Sequence, residues 1–192
     1  VGFSVIYEGY IDEFAILVKL LRSEGINCHF TAGGHFASLR PQELFSLIPE
    51  LDSIVRFEGE YTLPELVNCL SSGKDWRSIR SIAFREDHRI IVTPIRPLER
   101  DLDKVPFPSR PPVREYAYGK KYVTILAGRG CINDCSYCNA REFYRTAAGP
   151  TKRTRDPEMV VREMVHLHRD KGCSVFLFQD DDFPVKVRSE ND

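Results

Sequence analysis

Long apolar runs are missing from this chain. None approaches the roughly 20 residues that a membrane-spanning helix needs. The opening VGFSVIYEGY has no basic stretch ahead of an apolar one and does not read as a secretory signal. An excess of one charge is lacking too. With 27 Lys and Arg against 28 Asp and Glu the net charge is −1, too little for a field that would draw nucleic acid or an anionic membrane. There is no P-loop, no Ser–His–Asp arrangement, no internal repeat and no basic motif with interleaved aromatics. We therefore expect a cytoplasmic location and neither nucleic acid nor membrane as a partner. An initiator Met is absent and both ends read as cut, so the chain is expected to be a piece of something longer.

What is present is ordinary in amount and unusual in placement. An apolar fraction of 42% over 192 residues suffices for one large domain or two small ones. Residues 1–72 alternate strand-like and helix-like segments. Val1–Tyr7 reads as a buried strand, and Ile11, Phe14, Ala15, Val18 and Leu21 recur at helical spacing before Gly25. Asn27–Thr31 reads as a second strand ending in Gly33–Gly34. Pro41 with Gln42 and Glu43 suits the first turn of a helix. Ser53–Phe57 and Leu63–Leu70 complete the rhythm as strand and helix. Such βαβαβα order predicts a parallel sheet whose ligands sit beyond the carboxyl ends of its strands, where TAGGHFAS and FEGEYT lie.

The pattern then changes. SIAFRE and RIIVTP around Asp87–His88 predict a β-hairpin. Pro94, Pro97, Pro106, Pro108, Pro111 and Pro112 follow and rule out a helix or a central strand, leaving a linker or strap. After it, Tyr122–Ala127 reads as a strand. Asp156 and Pro157 suit the start of a helix with Val160, Met164 and Leu167 on one face, ending at Gly172. Ser174–Gln179 is an apolar strand running into Asp180, Asp181 and Asp182.

Three of six cysteines, Cys131, Cys135 and Cys138, fall within CINDCSYC. In a reducing compartment clustered thiols bind metal or do chemistry more often than they form disulfides. Gaps of three and two residues let one loop wrap its thiolates around a single metal centre. A structural zinc would need a fourth ligand, for which Cys173, His166 and His168 are the near candidates. Cys173 precedes an apolar strand as a small buried residue would, and two histidines two apart on a helix do not share a face. A redox disulfide between Cys135 and Cys138 stays open, although it gives Cys131 no part.

GRGCINDCSYC, placed straight after a strand, resembles the radical S-adenosylmethionine superfamily. The resemblance implies that Cys131, Cys135 and Cys138 hold three irons of a [4Fe–4S] cluster. S-adenosylmethionine would fill the fourth position and be cleaved reductively to a 5′-deoxyadenosyl radical. It places Tyr137 near the adenine, and Asp180 and Asp181 at the strand end as candidates for the methionyl amine. RTRDPEMVVREM and FLFQDDDF are similar to segments of the cobalamin-dependent members of that family. VGFSV, LVKLLRSEGINCHFTAGGHFASLRPQELF and RFEGEYTLPELV look like the later part of a B12-binding domain, with Ser4, Gly33 and Gly34 near the nucleotide tail of cobalamin. The family's histidine-bearing D-x-H-x-x-G motif is absent. His35 reads as a surface loop residue and is not assigned to cobalt.

The expected architecture is α/β. Residues 1–75 would be a partial Rossmann-like B12-binding domain, 76–115 a hairpin and Pro-rich linker, and 116–192 the start of a partial TIM-type radical SAM barrel. A full barrel needs on the order of 200 residues or more, and the shortfall predicts an open sheet edge. The implied activity is that of a cobalamin-dependent radical enzyme, with methyl transfer as the leading reaction. Its substrate would be a small molecule or peptide, and its electron donor a flavodoxin or ferredoxin. The competing readings are a non-catalytic zinc or redox module and a truncated, inactive fragment. Nine Lys or Arg against three Asp or Glu between Arg114 and Arg155 would suit an anionic group, or merely form a solvated flank.

Overall fold

The computed structural model describes residues 1–111, 115–116 and 119–183. Pro112 of the strap and Arg114 of the basic segment lie outside the described residues. The chain divides into two compact units, residues 1–98 with 142–148, and residues 99–141 with 149–192.

The first unit is built on a five-stranded sheet. Strands β1 (Gly2–Ser4), β2 (Thr31–Gly33) and β3 (Ser53–Val55) are parallel. Strands β4 (Ile82–Glu86) and β5 (Arg89–Val92) add antiparallel, in the order β1-β2-β3-β4-β5. The hairpin turn has Asp87 at φ 44° and His88 at φ 66°. Two successive positive φ values match the twist of the flanking strands, and Asp tolerates that region better than most residues do. Helices α1 (Ile11–Ser23), α2 (His35–Leu39), α3 (Pro41–Leu47) and α4 (Gly59–Ser71) connect the parallel strands or follow them. Phe30, Phe45, Leu44, Ile54 and Val18 are fully buried in one cluster between sheet and helices. Each such side chain contributes about 1.5–3 kcal/mol.

Three expectations need correction here. Val1–Tyr7 is not a buried strand: β1 is three residues long, lies at the sheet edge and buries only Phe3 of its three side chains. The second strand begins where Asn27–Thr31 was expected to end. The Phe30 N–H is taken by the Asp52 carboxylate at 2.6 Å, so the ladder starts at Thr31. Helix α4 starts at Gly59, ahead of Leu63, and carries Pro64 inside it.

In the second unit, β10 (Cys173–Phe178) pairs parallel with β7 (Lys120–Ile125), and β6 (Glu115–Tyr116) pairs antiparallel with the start of β7. A two-residue ladder joins β8 (Gly128–Arg129) to β9 (Arg153–Thr154), and helix α5 spans Asn139–Thr146, its residues from Glu142 onward belonging to the first unit. Helix α6 (Pro157–Lys171) connects β9 to β10. It is capped by Asp156, whose carboxylate accepts from Glu158 N at 2.7 Å, and closes on Gly172 in the left-handed region. Among the described residues these three strands form an open sheet and do not close a barrel.

One edge of β7 is not left open. Arg110, from the proline-rich strap, donates to Thr124 O at 3.0 Å, and Arg155 donates to Leu126 O at 2.9 Å. Both guanidiniums also bind Glu163 of α6, at 2.8 and 2.6 Å. Glu163 is 1% exposed. Two arginines on one buried carboxylate thus stand where a neighbouring strand would pair, which protects the edge. Among the described residues, no helix is long and apolar enough to cross a membrane.

Candidate cofactor cleft and cysteine loop

At the carboxyl ends of β1, β2 and β3 the first unit has a cleft of about 360 Å³. Ser4, Gly33 and Gly34, singled out from the sequence, all line it. Ser4 pairs with Gly33 in register, and Val5 N donates to Gly33 O at 2.7 Å. Gly34 has φ +104°, and a Cβ there would lie 2.6 Å from Val5 O. That glycine is demanded by the chain's own backbone. A Cβ on Gly33 would meet Val55 O at 3.4 Å, close to ordinary contact.

Two residues that sequence reasoning missed hold the rim. Ser38 is buried; its hydroxyl donates to Gly34 O at 2.7 Å and accepts from Phe57 N at 2.7 Å. Arg56 Nε donates to Ser38 O at 2.9 Å, and burial lowers the Arg56 pKa. Phe57 sits at φ +63°, a conformation unusual for an aromatic residue, and its side chain lines the cleft. Only the Phe-Glu-Gly turn after β3 hinted at it. His35 is not a surface loop residue. It opens α2 and stacks on Phe143 of the same unit, with ring centroids 4.2 Å apart.

In the second unit the cysteine loop leaves β8 and enters α5. Cys131 is half-buried, and its sulfur accepts from Asn133 N at 3.4 Å and Asn133 Nδ2 at 3.3 Å. Cys138 N donates to Cys135 O at 3.1 Å, closing a turn that leaves both side chains exposed. Tyr137 is 91% exposed. Its phenol pKa is raised, first by a hydrogen bond with the Cys135 side chain and then by the charge of that thiolate. All six cysteines are free thiols. The three sulfurs do not converge: among the described residues no three Cys, His, Asp or Glu side chains are gathered as a metal site. Fit to a cluster therefore rests on the donor set, three soft ligands on one short loop, one already receiving N–H···S hydrogen bonds.

Cys173 is fully buried, as expected. His168 Nδ1 is 2.8 Å from Cys173 O, and His166 pairs with Asp170. The aspartates after β10 are engaged with backbone. Both Asp180 oxygens lie 3.1 Å from Ala127 N, and Asp181 Oδ2 accepts from Gly130 N at 3.0 Å. Lys152 donates to the main-chain carbonyl of Asp182. The basic segment is not a solvated flank throughout, because Lys152 and Arg153 are buried and Arg155 is held by Glu163 and Asp103.

No family model matches the chain. It is 28% identical over 191 residues to an uncharacterized methyltransferase from Pyrococcus horikoshii, covering 98% of this chain and 40% of that protein. It is 34% identical over 169 residues to the anaerobic magnesium-protoporphyrin IX monomethyl ester cyclase of Synechocystis, covering 86% and 33%. Among solved structures it superposes on the radical S-adenosylmethionine methyltransferase TsrM from Kitasatospora setae, a structure with cobalamin and a [4Fe-4S] cluster bound. The TM-score is 0.74 at 21% identity, over 97% of this chain and 38% of that one. The chain thus spans about a third to two-fifths of the length of these relatives. The cysteine loop and the parallel-strand units agree with these likenesses, and the chain shares the fold of solved radical S-adenosylmethionine enzymes that bind cobalamin.

Proposed function

We propose that this chain is the cofactor-holding portion of a cobalamin-dependent radical S-adenosylmethionine enzyme, and that the whole protein transfers a methyl group to a small molecule. The observation that carries the reading is the loop of three free thiols in which the Cys131 sulfur already accepts two N–H donors. In this reading Cys131, Cys135 and Cys138 hold a [4Fe–4S] cluster and S-adenosylmethionine takes the fourth position. When bound, the cluster supplies the electron that cleaves the sulfonium. Asn133 donates two hydrogen bonds to the Cys131 sulfur, and such N–H···S bonds tune a cluster's potential. In the same reading Tyr137, against Cys135 and otherwise open, would lie beside the adenine.

The cleft of the first unit is proposed to take the nucleotide tail of cobalamin. A Cβ added at Gly2 would meet nothing within 4 Å, and one at Gly59 only side chains at 3.8 Å or beyond. Packing does not require glycine at these two lining positions, whereas a bulky ligand approaching the backbone does. Ser4 supplies a hydroxyl at the same rim. A flavodoxin or ferredoxin would deliver the electron. The cytoplasm, where thiols stay reduced, is the fitting compartment. Residues 1–75, 76–115 and 116–192 would then serve as B12-type domain, connector and barrel start. The cyclase likeness favours a second reading, in which the same cofactors drive ring formation.

The test is anaerobic reconstitution of the chain with iron and sulfide, followed by electron paramagnetic resonance of the reduced sample with and without S-adenosylmethionine. About four irons per chain and a signal altered by the co-substrate are expected. Stoichiometric zinc with no iron would sink the reading. Retention of hydroxocobalamin absorbance after gel filtration tests the cleft, and its loss in a Gly59→Leu variant would localise it.

A further inference from the structure

We infer that Asp180, Asp181 and Asp182 form a clasp that sets the start of the cysteine loop, with Asp180 and Asp181 as positioning residues. The inference rests on the cluster-binding reading of that loop and goes beyond it, because the resemblance assigned these carboxylates to the co-substrate's amine.

The ladder between β7 and β10 runs to its last bond, Gln179 N to Ile125 O at 3.0 Å. Asp180 is therefore delivered by a paired strand, two residues beyond its end. Its two oxygens straddle the N–H of Ala127, the second residue after β7. Asp181 reaches the N–H of Gly130, immediately before Cys131. These two amides bracket β8, whose two-residue ladder with β9 is too short to hold a loop by itself. Asp182 closes the other side, since its main-chain carbonyl accepts from Lys152 Nζ just ahead of β9, and the Lys152 side chain is 2% exposed. Gly128 belongs to the same fitting. A Cβ there would lie 2.7 Å from Arg153 O, so β9 can close in only on a glycine, and Asp180 Oδ1 would sit against it at 3.5 Å.

Asp180 and Asp181 thus each grip a different backbone amide at the base of the cysteine loop, and Asp182 is held through its own carbonyl by Lys152. Charge-assisted bonds from carboxylate to backbone N–H are among the stronger hydrogen bonds, and they need no metal. The base of the loop is fixed before any cluster arrives, while the thiols beyond Cys131 are left to adjust. Both Asp180 oxygens face the one Ala127 N–H, so the loop backbone sets the orientation of this carboxylate.

The clasp can be read without iron. Amide hydrogen exchange on the metal-free chain should quicken about tenfold or more at Ala127 in Asp180→Ala and at Gly130 in Asp181→Ala, the loss of one charge-assisted bond each. Asp180→Asn keeps an acceptor and should restore Ala127 to within about threefold of wild type. Unchanged exchange in α6, in the same unit, shows that the variants fold. After reconstitution, Asp180→Ala should hold less iron and give a broadened reduced signal, and Asp180→Asn should recover both. Exchange at Ala127 and Gly130 unmoved by the alanine variants, with only the response to S-adenosylmethionine lost, would overturn the clasp and return these carboxylates to the co-substrate. If wild type takes up no iron, the cluster reading fails while the exchange rates still judge the clasp.

Discussion

At the rim of the cleft in the first unit, Gly34, Ser38, Arg56 and Phe57 are bonded to one another, and an aromatic residue is held at φ +63° by that network. In the cysteine loop of the second unit, Cys135 and Cys138 stand exposed and no three ligands are gathered. The cleft is finished by hydrogen bonds internal to the fold, so a ligand entering it would meet groups already in place. The loop is fixed at its base and loose at its thiols, so its final form would come with the metal, and metal affinity and loop order would be one quantity. A rigid cleft and an adaptable loop suit different tasks. A large preformed ligand needs a shaped surface, whereas a cluster brings its own geometry and needs only donors within reach.

The largest expected effect breaks the rigid side of this contrast. Gly34→Ala forces a side chain into a glycine-only conformation against Val5 O. The backbone strain is about 1–3 kcal/mol and the overpacking about as much again, so a loss near 4 kcal/mol is expected. Exchange protection should fall across β1 and β2 and stay unchanged in β7 and β10. Cys138→Ser supplies the opposite case, an exposed thiol whose replacement should change metal-free stability by less than about 0.5 kcal/mol. Equal losses from the two substitutions would end the distinction.

A smaller effect sharpens it, by asking whether the second unit has a rigid part of its own. Glu163→Gln keeps the shape of the side chain and removes the charge between Arg110 and Arg155, which are 16% and 12% exposed. Two buried cations would then lack their shared anion, at a cost of about 3 kcal/mol. The exchange of Thr124–Leu126 and of α6 should rise, with the strap released from the β7 edge. Denaturation monitored segment by segment is the proper measure, because two compact units need not unfold as one. A loss below about 1 kcal/mol would mean that the strap holds without the triad.

Local chemistry made much of this legible in advance. The Asp87–His88 turn, the Asp156–Pro157 start and Gly172 stop of α6, and the burial of Cys173 each follow from a few adjacent residues. Helix α2 was missed because five residues hold too little periodicity to show a face. The true start of α4 was hidden behind Pro64, which reads as a breaker although it lies inside the helix. The pairing of β4 with β3 joins residues about thirty apart and leaves no local mark. In the candidate sites, the cysteines were singled out by residue type and spacing, and the glycine pair by the family resemblance. Ser38 and the engagement of Asp180 with Ala127 were not, since a serine or aspartate looks the same in a sequence whether it faces solvent, ligand or distant backbone.

The smallest effect concerns pH and again separates the two units. His29, just ahead of β2, has its Nε2 2.8 Å from Ser53 Oγ, and Ser53 Oγ donates to Thr31 Oγ1 at 2.9 Å. Its ring stands edge-on to Trp76. Burial lowers its pKa below the ordinary 6.5, and nearby Asp52 only partly opposes that shift. The unfolded chain therefore binds the proton more readily than the folded one. The stability this contributes is complete above pH 6.5 and is lost as pH falls through the lower, folded value. Exchange protection in β2 and β3 should decline between about pH 7 and pH 5, and His29→Gln should flatten the decline. In the cysteine loop the Tyr137 phenol is raised by Cys135 and adds nothing to this acid slope. A slope that survives His29→Gln would assign the acid sensitivity to another group. A slope shared equally by β7 and β10 would show that the two units open together, and the contrast between cleft and loop would then be one of local detail alone.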